Sequence, residues 1–237
     1  MSGRILITGA TGALGRSVVT RFLDAGERVL AVDQSEDRLG ELTALAPSDT
    51  LAVRRVDLAS SDEVARLFAE VEVPPAVVHL VGGFRWSRLA DLSDRDWSFL
   101  VTVNLDTTFR VFRETARCFE KSRARGGGGA MGSNSVVAVA APAGLAGEAG
   151  IGAYAATKAG VLRLVESLAR EIAPFGARAN AILPGTMDTP ANRAAMPDAD
   201  PAQWVTTDAV AAVIHFLTTP AAAAINGAAI RVPGPTL

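Results

Sequence analysis

One tyrosine, one cysteine and two histidines stand among 237 residues. The lone thiol, Cys118, leaves no internal disulfide to staple the chain, which fits a reducing compartment, and cytoplasm is the expected location. His79 and His215 have no cysteine or carboxylate partner at ligand spacing, so no metal site is expected. Long apolar runs are missing too: none reaches the roughly 18 to 20 uninterrupted apolar residues of a membrane helix. The opening MSGRILITGATGALG turns glycine-rich after a short apolar run and lacks the basic start and long apolar stretch of a signal peptide. An excess of one charge is also absent. With 23 basic and 25 acidic residues and a net charge of -2, there is no broad basic field, and neither nucleic acid nor membrane is an expected partner.

What is abundant is apolar surface, 49% of residues, enough for a sizeable core. Short apolar runs alternate with stretches of helical period: RILIT precedes RSVVTRFLDAG, and RVLAVD precedes EDRLGELTAL. Further strands are expected at 51–56, 76–81, 135–140, 177–183 and 228–232. Because these runs are nearly continuous in Val, Ile, Leu and Ala, both faces of the sheet should be covered. The expected fold class is α/β, a Rossmann-type doubly wound, seven-stranded and mainly parallel sheet with helices on both faces. No linker interrupts it, so 1–237 reads as a single domain. One helix is expected over 94–125 and another over 153–176, the latter stopped by Pro174 and Gly176. RGGGGAMGSNS, 125–135, reads as a flexible surface loop, and Lys121, Arg123 and Arg125 before it as a solvated helix end.

The first strand runs into TGATGALG, with Gly9, Gly12 and Gly15 three apart and Thr11, Ala13 and Leu14 between them. Glycine lets the backbone turn tightly and approach a pyrophosphate, whose charge the N–H groups and positive end of the next helix attract. The second strand ends at Asp33, where a carboxylate can accept hydrogen bonds from an adenosine ribose. A carboxylate repels a 2'-phosphate, so NAD(H) is preferred over NADP(H), although Arg38 lies five residues on. Asp57, followed by Leu58, reads either as an adenine contact or as the cap of the next helix.

Tyr154 and Lys158 are four apart on the expected helix and so share a face. A phenol of pKa about 10 needs nearby positive charge to serve near neutrality. The competing reading is a packed tyrosine beside a solvated lysine. In order, the glycine turn, Asp33, VDL, VNLDTTF, YAATK and LPGTMDTP resemble the short-chain dehydrogenase/reductase family over nearly the whole chain. The resemblance implies a nicotinamide cofactor, a small-molecule substrate and a homodimer or homotetramer. It implies Tyr154 as proton donor and acceptor, Lys158 as its partner on the cofactor ribose, and Asn104 as holder of a relay water. It also implies cofactor contacts from Gly82, Gly83, the Ile182 backbone, Pro184, Gly185 and Thr189, with a substrate loop over about 186–205. Met187, Met196 and Trp204 would line a pocket there or pack on the sheet.

Three positions depart from the family pattern. The position thirteen residues before Tyr154, where the family has a catalytic serine, is Ala141, and Ser133 and Ser135 come too early to replace it. The glycine spacing is TGxxGxxG, and HLVGGF stands where the family has an NNAG segment. All three are similar to the dihydropteridine reductases, a branch with an already electrophilic acceptor. The expected function is hydride transfer between NAD(H) and a carbonyl, alcohol or pre-activated conjugated substrate. The alternatives are a dihydropteridine reductase-like enzyme and a non-catalytic NAD(H)-binding sensor or structural subunit.

Overall fold

The computed structural model describes residues 3–126 and 134–235. Ser133 and most of the glycine-rich stretch lie outside them. Up to the fourth strand, the chain alternates β1 (Ile5–Thr8), α1 (Ala13–Asp24), β2 (Val29–Asp33), α2 (Glu36–Leu42), β3 (Leu51–Arg55), α3 (Ser61–Glu70) and β4 (Ala76–His79). It continues through α4 (Asp94–Leu100), α5 (Thr107–Ala124), β5 (Asn134–Val139), α6 (Gly152–Ile172) and β6 (Ala177–Pro184). A small excursion follows, β7 (Met187–Asp188), α7 (Pro190–Ala195) and β8 (Val205–Thr206), before α8 (Thr207–Thr218) and β9 (Ala229–Val232).

The seven long strands pair in the order β3-β2-β1-β4-β5-β6-β9, every neighbour parallel. Alternate side chains enter two separate cores. Leu6, Val77, Val136 and Leu183 pack with α3, α5 and α6 on one face. Ile7, Val78, Val137 and Ile182 pack with α1, α2 and α8 on the other. The unbroken apolar runs are therefore two interleaved half-patterns, one for each face. Ala177, Ala179 and Ala181 form a smooth floor of β6 that lets α6 lie close to the sheet.

The order reverses between β1 and β4, and such a reversal opens a crevice at the carboxyl ends of the strands. Two details differ from the sequence expectation. Met187–Asp188 pairs with Val205–Thr206 as a second, two-stranded parallel sheet inside the expected substrate loop. The helix expected over 94–125 is interrupted by a π-helical turn at Val101–Asp106. The β-branched pair at 101 and 103 does not announce that turn; the tertiary bonds of Asn104 hold it open, as described below. α4 is started by Ser93, whose Oγ accepts from Asp96 N at 3.1 Å. No described helix is long and apolar enough to cross a membrane.

His79 ends β4 with its ring 2% exposed, edge-on to Phe112. Its Nδ1 shares a 2.8 Å hydrogen bond with Thr8 Oγ1 on β1, while its buried Nε2 meets no partner among the described residues. Burial, and then the charge of Lys158, push the imidazole down to about 3. The folded protein thus holds His79 neutral where the unfolded chain protonates it below pH 6.5, so stability falls as pH drops from about 6.5 toward 3. The contribution is on the order of 5 kcal/mol. Urea denaturation across this range should show a shallower loss for His79→Asn than for the parent protein.

Candidate active site

Gly9, at φ +71°, turns the chain out of β1 in a conformation that a side chain disfavours. A Cβ at Gly15 would lie 2.2 Å from Gly9 O, so the first turn of α1 can press directly on the loop. Gly12 begins the helix without a side-chain cap, and the first turn carries no acidic residue. The first helical bond joins Arg16 N to Gly12 O at 2.9 Å, which leaves the N–H groups of Ala13, Leu14 and Gly15 ahead of it without helical partners. That is an anion site built from backbone.

Asp33 is wired into the same turn. One carboxylate oxygen accepts from Thr11 N at 3.1 Å, and the other accepts from Gln34 N at 2.8 Å and Ser35 N at 3.3 Å. Three backbone donors hold the carboxyl group in one orientation while leaving lone pairs over. Asp57 Oδ1 accepts from Ala59 N at 2.9 Å, and Ser60 rather than Asp57 caps α3 by accepting from Glu63 N. The capping reading of Asp57 is thereby corrected. Gly9, Thr11, Gly12, Asp33, Asp57 and Leu58 line one cleft of about 590 Å³, with Gly82 at its far end. Arg38, Gln34, Arg95 and Thr102 line it as well. Gln34, Arg95 and Thr102 carry no sequence signal, because only the placement of α4 and the π-helical turn after it brings the last two there.

At the inner end of the cleft the glycine pair is clamped. Asn104, fully buried, accepts from Gly83 N and donates to Gly83 O, both at 3.0 Å, and donates to Thr157 Oγ1 at 3.2 Å. Thr157 passes the connection on, donating to Tyr154 O at 2.8 Å. The Asn104 amide thus clips the Gly82–Gly83 turn onto α6. Thr157, inside the YAATK motif, is a link that the motif alone does not reveal. A Cβ on Gly82 would lie 3.0 Å from both Asn104 Oδ1 and Lys158 Nζ, so glycine alone allows the strand end to sit against the ammonium.

Lys158 is 4% exposed and donates to Val139 O, at the carboxyl end of β5, at 3.0 Å. Its Nζ is 5.8 Å from the centroid of the Tyr154 ring, within cation–π range. Burial pushes the lysine down to about 8 and the Tyr154 phenol up to about 12. The reading of Lys158 as a solvated residue is excluded by that burial. Ala141 is buried at the start of the turn after β5, and the next turn is packed so tightly that a Cβ on Gly144 would lie 2.9 Å from Lys158 O. Ser135 is buried at the opposite end of β5, about 20 Å of strand away, and cannot stand in for a hydroxyl at 141.

Three expected cofactor contacts, like Tyr154 and Lys158, do not line the 590 Å³ cleft and have partners of their own. Gly185 donates to Val232 O at 3.0 Å, and a Cβ on it would meet Pro233 O at 2.6 Å, so it packs against the carboxyl-terminal strand. Pro184 is the last residue of β6, in register with Val232. Thr189 caps α7, its hydroxyl accepting from Asn192 N at 3.2 Å. None of the three lines the cleft. The Ile182 carbonyl already accepts from Ala140 N at 2.9 Å. Met187 packs against the α1/α8 core and Met196 is exposed, while Trp204 lines a different cleft of about 780 Å³ with Val213 and Val232. Among the described residues, no group of three or more His, Cys, Asp or Glu is arranged to hold a metal.

Comparison with known proteins agrees with this architecture. The family model described as adh_short_C2, Enoyl-(Acyl carrier protein) reductase, matches residues 9–234. The chain is 29% identical to (3R)-3-hydroxyacyl-CoA dehydrogenase of Mus musculus, across 98% of this chain and 95% of that one. It is 35% identical to a Mycobacterium tuberculosis protein described as an NAD-dependent oxidoreductase, across 80% of this chain and 74% of the relative. A crystal structure of an oxidoreductase from Burkholderia thailandensis, of the short chain dehydrogenase/reductase family, superposes with a TM-score of 0.85 at 31% identity, covering 100% of this chain and 94% of that one. On its fold, its motif order and these matches, the chain belongs to the short-chain dehydrogenase/reductase family.

Proposed function

We propose that the protein transfers a hydride between NAD(H), in preference to NADP(H), and a carbonyl or alcohol, with Tyr154 handling the proton and Lys158 as its partner. The observation that carries this is the meeting of a dinucleotide-sized cleft with a half-buried Tyr154 and a buried Lys158: Gly82 lines the cleft, and a Cβ added to it would lie 3.0 Å from Lys158 Nζ. The backbone cradle of 12–15, the fixed carboxylate of Asp33 and the bare edge at Gly82 suit, in turn, the pyrophosphate, the ribose and the nicotinamide end of such a cofactor. When bound, the cofactor supplies or accepts the hydride at nicotinamide C4.

The residues then divide the remaining work. Tyr154, a neutral phenol at physiological pH because its pKa lies near 12, is poised to donate a proton to a carbonyl oxygen. Lys158 favours the phenolate left behind, and it is held in place by the Val139 carbonyl. Asn104 keeps Gly82 and Gly83 against both groups. At Ala141 a methyl replaces the second hydrogen-bond donor, and losing such a donor costs on the order of 10² to 10³ in rate. An acceptor that is already electrophilic tolerates that loss best. The likeness to dihydropteridine reductases rests only on the glycine spacing, the Gly82–Gly83–Phe84 stretch and Ala141, and no pterin substrate is assigned. A homodimer or homotetramer is the proposed assembly.

NADH oxidation should require Tyr154: Tyr154→Phe should lower kcat by about 10² to 10⁴ while leaving NADH affinity within a few-fold. Binding without turnover in the parent protein on any carbonyl would favour a sensor instead. Reduction should lose rate as pH rises through about 8, where the Lys158 charge is given up, and Lys158→Met should lack that break. Asp33→Ser should shift the NADH to NADPH ratio of kcat/KM by about tenfold or more, equivalent to about 1.4 kcal/mol at the ribose. Ala141→Ser should speed reduction of simple ketones more than that of activated ones; equal effects on both would place the second donor elsewhere.

A further inference from the structure

Just past the glycine pair, the chain leaves β4 and lays a run of apolar side chains over the start of α6. Phe84 meets the Tyr154 ring edge-on, with centroids 5.0 Å apart and planes at 84°. Ser87 N donates to Gly150 O at 2.8 Å. Gly150, at φ +82°, is covered so closely by Trp86 that a Cβ there would lie 2.4 Å from the indole. Leu89 covers Gly152 in the same way, at 3.3 Å from such a Cβ. Four ties therefore fix residues 84–89, two to the turn of helix that bears Tyr154 and two to Gly150 just ahead of it.

These anchored side chains nevertheless face solvent. Phe84 is 51%, Trp86 66% and Leu89 73% exposed, although apolar residues held this firmly against a helix are usually covered. The nearby cations are already engaged: Arg85 lies over Phe99 at 4.3 Å and 3.5 Å from Asp96, and Arg88 lies 3.7 Å from Asp91. The wall is apolar, largely aromatic and close to electrically neutral. It begins on the Tyr154 ring itself, which marks its occupant as the small molecule that Tyr154 serves.

We propose that Phe84, Trp86 and Leu89 form the subsite for the body of the substrate, and that this substrate is an aryl α-diketone whose rings lie on the two aromatic side chains. The assignment rests on Tyr154 being the proton donor. It also accounts for Ala141: conjugation to a second carbonyl makes the acceptor electrophilic, so the missing hydroxyl costs less. In the reaction one carbonyl carbon of an aryl α-diketone gains the hydride given up by the dihydronicotinamide, and its oxygen takes the Tyr154 proton. The diketone is reduced to a hydroxyketone and the cofactor is oxidised.

The test compares benzil with 2,3-butanedione, two activated diketones that differ only in their aromatic bodies. Benzil should be favoured in kcat/KM by at least about tenfold, mainly through KM. Phe84→Ala and Trp86→Ala should each pull that ratio toward one, and Trp86→Phe should restore it. In Tyr154→Phe, calorimetry should still detect benzil binding, and Trp86→Ala in that background should weaken it. Equal kcat/KM for the two diketones, a ratio untouched by either alanine, or alanines that change the sedimentation mass without changing selectivity would overturn the proposal. The last result would mean that a second copy of the chain covers the wall. Turnover that survives Tyr154→Phe would refute the proton-donor role and, with it, the assignment; absent turnover with benzil bound through Trp86 would leave the wall standing and refute only the activity.

Discussion

A buried ammonium organises this molecule. Lys158 sits 4% exposed on α6, and taking such a charge out of water costs several kcal/mol before any partner is found. The partners are the Val139 carbonyl on β5 and the π-face of Tyr154, while Gly82 stands so near that a Cβ on it would lie 3.0 Å from the same nitrogen. Keeping the ammonium there requires the carboxyl ends of β4 and β5 and the first turns of α6 to meet at one point. The alanine floor of β6 and the clip made by Asn104 bring them together. Even the neutral state of His79, one strand-end beneath, follows in part from that charge.

The π-helical turn at Val101–Asp106 belongs to the same constraint. A regular helix over 94–125 would satisfy its own backbone, but the widened turn places the Asn104 side chain wholly inside the protein, with both ends of its amide engaged. The cost of the irregular turn is met by a buried amide that makes three hydrogen bonds, and the result is a fixed position for the glycine pair. The path Asn104–Thr157–Tyr154 then runs through hydrogen bonds from the glycine pair to the Tyr154 backbone carbonyl, on the turn of helix that carries the phenol. Such chains set geometry more firmly than any single contact.

Cofactor cleft and substrate wall are built from opposite materials. The cleft uses backbone N–H groups, an oriented carboxylate and small residues, which suit a charged, hydrogen-bonding dinucleotide. The wall over the start of α6 offers ring faces and a leucine and no free charge of its own. Between them stand Tyr154 and Lys158, with Ala141 nearby in the turn after β5.

Much of this could be read along the chain. The seven strands, their burial on both faces, the turn at 9–15, Asp33 and the Tyr154/Lys158 pair are local in sequence, because strand period, glycine spacing and a four-residue helical step are local physics. Tertiary structure decided what depended on distant segments meeting. Thr189 and Gly185 lie in a loop of the expected composition, and only the fold shows that one caps a short helix and the other donates to β9. Asn104 became a clip, α5 acquired its π-helical turn, and Phe84 came to rest on Tyr154 seventy positions later in the chain. A sequence shows which groups are available and how neighbours along a helix or strand face. Which buried polar atoms find one another, and which apolar residues are left exposed beside the reactive group, are settled only when every donor, acceptor and volume in the packed core is satisfied at once.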